Sequence, residues 1–303
     1  MKIVVTGADG FVGKHLVNLL KKDRSNRIFG LDRLQVDITN FSQVKKYLAK
    51  IRPDQVYHLA GFASGAGKDK ELIFKVNVEG TINILKVLKE VGKPVKILLA
   101  STAYVYGNTA KCATEKSETI PTLQSGPRPK RRGSFYDKSK LAMEKETKKY
   151  LGKNIQIVIS RATNHIGPGQ KLGFVVPDFC SQIVKAKSGD RILVGNLSAK
   201  RGFFDVRDCV RAYQILMQKG KSGELYNIGT GKMTSIKRIL EKLIKISGKN
   251  ISYKIDPQKV RKSDILKNCV NPSKIKKLGW QPKISLEKSL KDAYQYYLTI
   301  TKM

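Results

Sequence analysis

The sequence predicts an α/β protein built on a doubly wound parallel sheet, with a smaller α/β region toward its C-terminal end. Three observations predict it. Strands that are apolar throughout alternate with helix-period segments across the first half of the chain, as in a parallel sheet covered on both faces. A glycine-rich turn separates the first strand from the first helix. The 303 residues are 41% hydrophobic and 27% charged, enough to bury a sizeable core in one large or two small domains.

Each element has a local cause. Residues 2–6 form a strand because Ile3, Val4 and Val5 are consecutive β-branched residues. In 11–22 the residues Phe11, Val12, Leu16, Leu19 and Leu20 recur at helical spacing. Strands follow at 28–32 and 55–60, with a helix at 41–51 between them. A long helix is predicted over 71–91, carrying Leu72, Val76, Ile82, Leu85 and Leu88. Residues 95–101 and 155–161 read as strands and 135–151 as a helix. The polar, Pro- and Gly-punctuated stretch 102–134 reads as structureless, and is longer than a compact fold usually tolerates without a functional reason. Beyond Arg161 a tight loop, Asn164-His-Ile-Gly-Pro-Gly-Gln170, comes first. Helices are predicted at 174–187, 206–219, 235–247 and 286–299, and short strands at 192–194, 224–228 and 251–254.

The net charge of +35 comes from 59 basic and 24 acidic residues. Of the basic residues 45 are Lys, spread along the whole chain, and only 14 are Arg. Nucleic-acid sites concentrate Arg and interleave aromatics, so a solvated Lys-rich surface is expected and no nucleic-acid partner. The one dense cluster is Lys130-Arg131-Arg132. The field would still draw in anionic small molecules. No apolar run is long enough to span a bilayer. Cys112, Cys180, Cys209 and Cys269 are far apart and form no CxxC pair. They read as neither a disulfide framework nor a metal site, and a cytoplasmic location is the expectation.

Gly7, Gly10 and Gly13 give the turn Thr6-Gly-Ala-Asp-Gly-Phe-Val-Gly13 a GxxGxxG spacing. Glycines there allow a tight turn, a close approach of backbone N–H groups to a pyrophosphate, and packing of helix on sheet. The turn therefore predicts a Rossmann-type dinucleotide site, with Asp9, Phe11 and Val12 in its wall. Asp32 closes the second strand, where a carboxylate can bond the adenosine ribose. It favours NADH, whereas Arg33 beside it favours NADPH, and the choice stays open. Asp37 and Ile38 reach toward the adenine, and Leu59, Ala60 and Gly61 end the third strand near the cofactor. His58 reads as a packed strand residue. The expected division is 1–163 for the dinucleotide, with the chain returning to it around 206–230, and 164–303 for the substrate.

Tyr136 and Lys140 form the one YxxxK pair in the chain. That spacing puts both on one helical face, where an ammonium is expected to lower the phenol pKa. The strand end Ser101-Thr-Ala-Tyr-Val-Tyr-Gly107 supplies a hydroxyl, Thr102, at the edge where such a sheet places reactive groups.

Taken together, the glycine turn, His58-Leu-Ala-Gly61, the hydroxyl-rich strand ending Val105-Tyr-Gly107 and the YxxxK pair resemble the extended short-chain dehydrogenase/reductase family over essentially the whole chain. The second half resembles its GDP-sugar branch through Arg161 to Gln170, Gly173 to Asp178, Val194-Gly-Asn-Leu197, Arg201 with Asp205-Val-Arg-Asp208, and Arg261-Lys-Ser-Asp264. The resemblance implies that Thr102, Tyr136 and Lys140 are catalytic. It implies that Asn164, Val175, Arg201 and Arg261 hold a nucleotide-diphosphate sugar, the two arginines on its diphosphate.

The same resemblance narrows the reaction. Similar 4,6-dehydratases carry Asp-Glu after the threonine, where this chain has Ala103 and Tyr104. Similar GDP-fucose synthases use a Cys at the Tyr104 position and a His at the Phe174 position. What remains is reduction at C4 of a GDP-4-keto-6-deoxyhexose by NADPH or NADH, giving GDP-D-rhamnose, with an NAD-dependent C4 epimerase as the alternative. A homodimer is implied through the helices at 71–91 and 135–151. The basic loop 126–134 and Phe135, where the family usually has Pro, depart from its pattern.

Overall fold

The structure is a computed structural model, and it describes residues 1–62, 69–120, 134–260 and 265–302. The first half runs β1 (Lys2–Thr6), α1 (Phe11–Leu20), β2 (Arg27–Leu31), α2 (Phe41–Ile51) and β3 (Gln55–His58). It continues through α3 (Lys70–Phe74), α4 (Gly80–Val91), β4 (Val95–Thr102), α5 (Phe135–Thr147) and β5 (Ile155–Ala162). Then come β6 (Asn164–Ile166), α6 (Val175–Lys185), β7 (Arg191–Val194), β8 (Lys200–Arg201), β9 (Phe203–Asp205), α7 (Val206–Lys219) and β10 (Leu225–Ile228). The chain ends with β11 (Thr234–Ser235), α8 (Ile236–Ser247), β12 (Ser252–Ile255), β13 (Lys267–Asn268), α9 (Ser273–Lys276) and α10 (Leu286–Lys302).

Six parallel strands in the order β10-β5-β4-β3-β1-β2 make the central sheet. Alternate residues of each strand point to opposite faces. Ile3, Val5, Leu98 and Val158 pack on one side with α1 and α7 residues such as Leu16, Tyr213 and Leu216. Val4, Val56, Ile97 and Ile157 pack on the other with Leu48, Leu85 and Leu88 of α2 and α4. This is the doubly wound sheet the sequence predicts. A second core joins α6, α8 and α10 around Phe179, Ile183, Leu240 and Tyr294. Among the described residues, no helix is long and apolar enough to cross a membrane.

Three expectations need correction. The helix predicted over 71–91 is continuous but not α-helical throughout: its Lys75–Glu79 segment is a π-helix between α3 and α4. Its cause is tertiary. Asn77 turns inward, where its Oδ1 accepts from Phe62 N–H at 2.9 Å and its Nδ2 donates to Ser139 Oγ at 2.9 Å. The stretch after Thr102 is not structureless either. Ala103–Tyr106 is a 3₁₀ turn, and Ala113 and Ile120 are buried. Finally, Cys112 and Cys269 form a disulfide across 157 residues of sequence. A bridge between Ala113 and Val270 lays the two segments side by side, with Ala113 N–H donating to Cys269 O at 2.8 Å. Cys180 and Cys209 are buried thiols.

Candidate active site

The site is assembled at the C-terminal ends of β1 to β4, the edge at which open parallel sheets take ligands. Gly7 has φ +68°, and Gly10 N–H donates to Gly7 O at 3.1 Å to close the turn. A Cβ on Gly13 would come within 2.0 Å of Gly7 O and 2.8 Å of Ala8 Cα, so helix and turn touch backbone to backbone. Helix α1 has no side-chain cap and no acidic residue in its first turn. The first-turn amides at Phe11 and Val12 therefore keep their donors and the positive end of the helix dipole for an anion. The turn thus fits a dinucleotide pyrophosphate. Asp9 is exposed at its tip. The Phe11 ring stacks on His165, with centroids 6.0 Å apart, and His15 Nε2 meets Pro168 O at 2.9 Å, so β6, where the sequence suggested only a loop, and the turn after it are fastened to the glycine turn.

Asp32 follows β2, and its Oδ1 accepts from the N–H groups of Leu34 and Gln35 at 2.9 and 3.0 Å. Arg33 is exposed beside it. Asp37 folds its carboxylate onto the Thr39 N–H and hydroxyl, and that backbone hydrogen bond lowers its pKa. Ile38 is buried and fills the space where Gly80 would carry a Cβ. Leu59, Ala60 and Gly61 follow β3. Ala60 N–H donates to Thr6 Oγ at 3.0 Å, and His58 bridges Thr6 and Thr81 at 2.8 Å on each side. Burial pushes the His58 pKa down to about 3, so the ring is a neutral packed residue.

Thr102 is the last residue of β4. Helix α5 starts with a capping box: Asp137 N–H donates to Ser134 Oγ at 3.2 Å, and Ser134 N–H to Asp137 Oδ2 at 2.7 Å. This start sets Tyr136 in the first turn and Lys140 one turn on. The half-buried Tyr136 side chain stands beside Thr102, whose hydroxyl acts to lower the phenol pKa. Lys140 Nζ donates to Ala100 O at 2.9 Å, and burial lowers its pKa to about 8. The phenol behaves differently from expectation. Burial raises the Tyr136 pKa above its ordinary value, against the effect of the Thr102 hydroxyl, so desolvation prevails and the group is a protonated acid at neutral pH.

The next half-turn carries residues the sequence reading did not single out. Ser139 Oγ donates to Tyr136 O at 2.8 Å and accepts from Asn77, which ties Gly61-Phe62 to α5. An Asn inside a helix-period segment was the available signal. Tyr104, two residues past Thr102, donates from its hydroxyl to Asn164 Oδ1 at 2.8 Å, while Asn164 Nδ2 donates to Gly202 O at 3.2 Å. The Arg201 guanidinium lies beside the same hydroxyl. Thr102, Tyr104, Tyr136, Asn164 and Arg201 are thus brought together. Asp205 is paired with Arg207 and Asp208 with Arg211. Val175 opens α6 and is 38% exposed. Arg261 and the Lys130-Arg131-Arg132 cluster lie outside the described residues. A cavity of about 620 Å³ lies elsewhere, between α5, β5 and the start of β10.

A glycine turn that fits a dinucleotide and a Thr–Tyr–Lys cluster with Thr102 and Lys140 buried, on one edge of a parallel sheet, define an NAD(P)-dependent oxidoreductase scaffold. The NAD dependent epimerase/dehydratase family matches residues 3–229, and the chain belongs to that family. It is 30% identical to a GDP-6-deoxy-D-mannose reductase of Pseudomonas aeruginosa, over 96% of this chain and 95% of that protein. It is 33% identical to a GDP-6-deoxy-D-talose 4-dehydrogenase of Aggregatibacter actinomycetemcomitans, over 91% of this chain and 90% of that one. The solved structure of RMD from Pseudomonas aeruginosa complexed with NADPH superimposes with a TM-score of 0.83 at 29% identity, covering 99% of both chains.

Proposed function

We propose that the protein reduces the C4 ketone of a GDP-4-keto-6-deoxyhexose to give GDP-D-rhamnose, as a GDP-6-deoxy-D-mannose reductase does. One observation carries the reading: a half-buried phenol that desolvation keeps protonated stands beside Thr102, and the two residues after Thr102 are Ala103 and Tyr104, neither a carboxylate nor a thiol. The cluster can give a proton to an oxygen, but it has no base at that position to take one from carbon.

The glycine turn and the first-turn amides of α1 would hold the pyrophosphate, with Asp32 and Arg33 at the ribose, Asp37 and Ile38 at the adenine and Leu59 to Gly61 beneath. When bound, the reduced nicotinamide supplies a hydride to the carbonyl carbon. Thr102 donates a hydrogen bond to the ketone oxygen and orients it. Tyr136 gives its proton to that oxygen as negative charge develops there. Lys140, charged below about pH 8, stabilises the phenolate that remains. Asn164, Val175 and Arg201 would face the nucleotide sugar, in the region we assign to 164–303 apart from the return to the dinucleotide domain around 206–230, and Arg261 keeps its diphosphate role on the family resemblance alone. We read the protein as a homodimer, and a monomeric mass in solution would overturn that part; the Cys112–Cys269 disulfide removes the cysteine argument for a cytoplasmic location.

Tyr136→Phe is expected to lower turnover by about 1000-fold while leaving the dinucleotide Kd nearly unchanged. Full activity in that variant would refute the scheme. A mass-spectrometric screen of GDP-, UDP- and dTDP-4-keto-6-deoxy sugars with NADPH and NADH tests the substrate. A reductase consumes one reduced cofactor per product, whereas interconversion of sugars without net consumption would identify a C4 epimerase.

A further inference from the structure

One buried ion pair behind the site has no part in the scheme above. In the register of the sheet, Arg161 of β5 stands directly opposite Ser101 of β4. Glu144, one helical turn beyond Lys140, meets both. Its Oε1 accepts from Arg161 Nε at 2.9 Å and from the Ser101 hydroxyl, and its Oε2 accepts from Arg161 Nη2. All three residues are buried. The guanidinium also lies 4.7 Å from the centroid of the Tyr106 ring. Burial works against its charge, yet the bonds to Glu144 hold its pKa above the ordinary value.

The pair sits where the reacting groups are anchored. Lys140 holds Ala100 O, Glu144 holds the Ser101 hydroxyl, and the next residue is Thr102. Two successive turns of α5 therefore grip two successive residues of β4. A shift of the helix by one turn would strand a buried carboxylate and a buried guanidinium, a large cost. A buried pair adds little net stability over an apolar one, but it fixes register.

We propose that Glu144, clamped by Arg161 and Ser101, is a positioning residue for the reaction: it locks α5 against the end of β4 so that Thr102, Tyr136 and Lys140 converge. This rests on the oxidoreductase reading above. The groups around Lys140 are His58 from β3, neutral and packed; Tyr136 a turn earlier on α5, a neutral phenol; Asp137, engaged by Ser134; Glu144 a turn later; and Arg161 from β5 behind Glu144. Burial lowers the Lys140 pKa, and Glu144 opposes that lowering. Without the carboxylate, Arg161 is left uncompensated, and both changes favour the neutral amine.

The test uses the full chain with dinucleotide and sugar. Glu144→Gln is expected to lower kcat about tenfold, with KM and the dinucleotide Kd within about twofold. The alkaline limb of kcat should move down by about one pH unit. NMR of ¹³C-lysine-labelled protein, with the Lys140 signal assigned by its loss in Lys140→Met, should show the same downward shift without any turnover. Ser101→Ala keeps both charges, so it should lower kcat about threefold and leave the limb in place. Should Glu144→Gln fail to fold, Glu144→Gln with Arg161→Met removes both charges and reads the same resonance against wild type. A Lys140 titration and kcat unmoved in folded Glu144 variants would overturn the positioning role alone. Turnover surviving in Tyr136→Phe would instead overturn the reading on which it stands.

Discussion

The dinucleotide turn and the Thr102–Tyr136–Lys140 cluster lie on one sheet edge, yet they are built in opposite ways. The turn is made of backbone and of side chains that are missing: Gly13 leaves no room for a methyl group, and α1 has no cap. The cluster is made of polar side chains, all buried but the half-buried Tyr136, each set against a partner. Lys140 has Ala100 O, Tyr136 has Thr102, Ser139 has Asn77, and Glu144 has Arg161. The turn should therefore fail when an atom is added, and the cluster when a partner is removed.

The sharpest way to break that contrast is to add one carbon to the turn at two places. In Gly13→Ala the Cβ would meet backbone at 2.0 Å, whereas in Gly10→Ala its nearest neighbour is Gly7 O at 3.1 Å. The first contact cannot be relieved by a side-chain rotation, so α1 must move off the turn. Gly13→Ala is expected to weaken dinucleotide binding at least about 1000-fold, on the order of 4 kcal/mol, or to yield no folded protein. Gly10→Ala should cost about tenfold or less. Fluorescence titration of NADPH and NADH against both variants reads the difference, and equal affinities would show that the turn is not close-packed.

The cluster should show the reverse behaviour in its stability. Burial lowers the Lys140 pKa from its ordinary 10.5 to about 8 in the folded protein. Between those values the unfolded chain binds more protons, so stability rises with pH through that window. Below it, the buried ammonium costs about 3 kcal/mol. Lys140→Met removes that cost and the hydrogen bond to Ala100 O, itself worth about 1 kcal/mol. The variant should be more stable by about 2 kcal/mol at pH 7 and less stable by about 1 kcal/mol above pH 10.5, while losing turnover. Urea melts across pH 6 to 11 check it. A difference that does not change with pH would mean that Lys140 keeps its ordinary pKa.

The same contrast explains what the sequence could disclose. The sheet, α1 and the glycine turn depend on period and on residues a few positions apart, so they are legible locally. The cluster members are legible as a spacing, but their behaviour is not. Whether burial or Lys140 governs the Tyr136 phenol depends on what closes over α5, and desolvation prevails. The π-helix at Asn77 answers to Phe62 and Ser139, the latter 62 residues away. Cys112 and Cys269 lie 157 residues apart, and the pairing of the 108–113 segment with 266–271 in the fold brings them together. Tyr104 entered the sequence reading as the absence of an acid, whereas in the fold it holds Asn164.

The mildest test falls where the two modes meet, at the start of α5. Ser134 and Asp137 cap that helix through side chains, but what they satisfy is backbone. Ser134→Ala removes one acceptor for the Asp137 N–H and leaves every buried charge paired. It should cost about 1 kcal/mol of stability and lower Tm by about 2–4 °C, as expected for a chain of this size. Dinucleotide affinity should not change, because α1 and its turn are untouched. Turnover should fall only about two- to threefold, since Lys140 and Glu144 still anchor the next two turns. Calorimetry and steady-state kinetics on the one variant separate the outcomes. A loss of turnover as large as that expected for Tyr136→Phe would show that Tyr136 is placed by the cap rather than by the buried partners of α5.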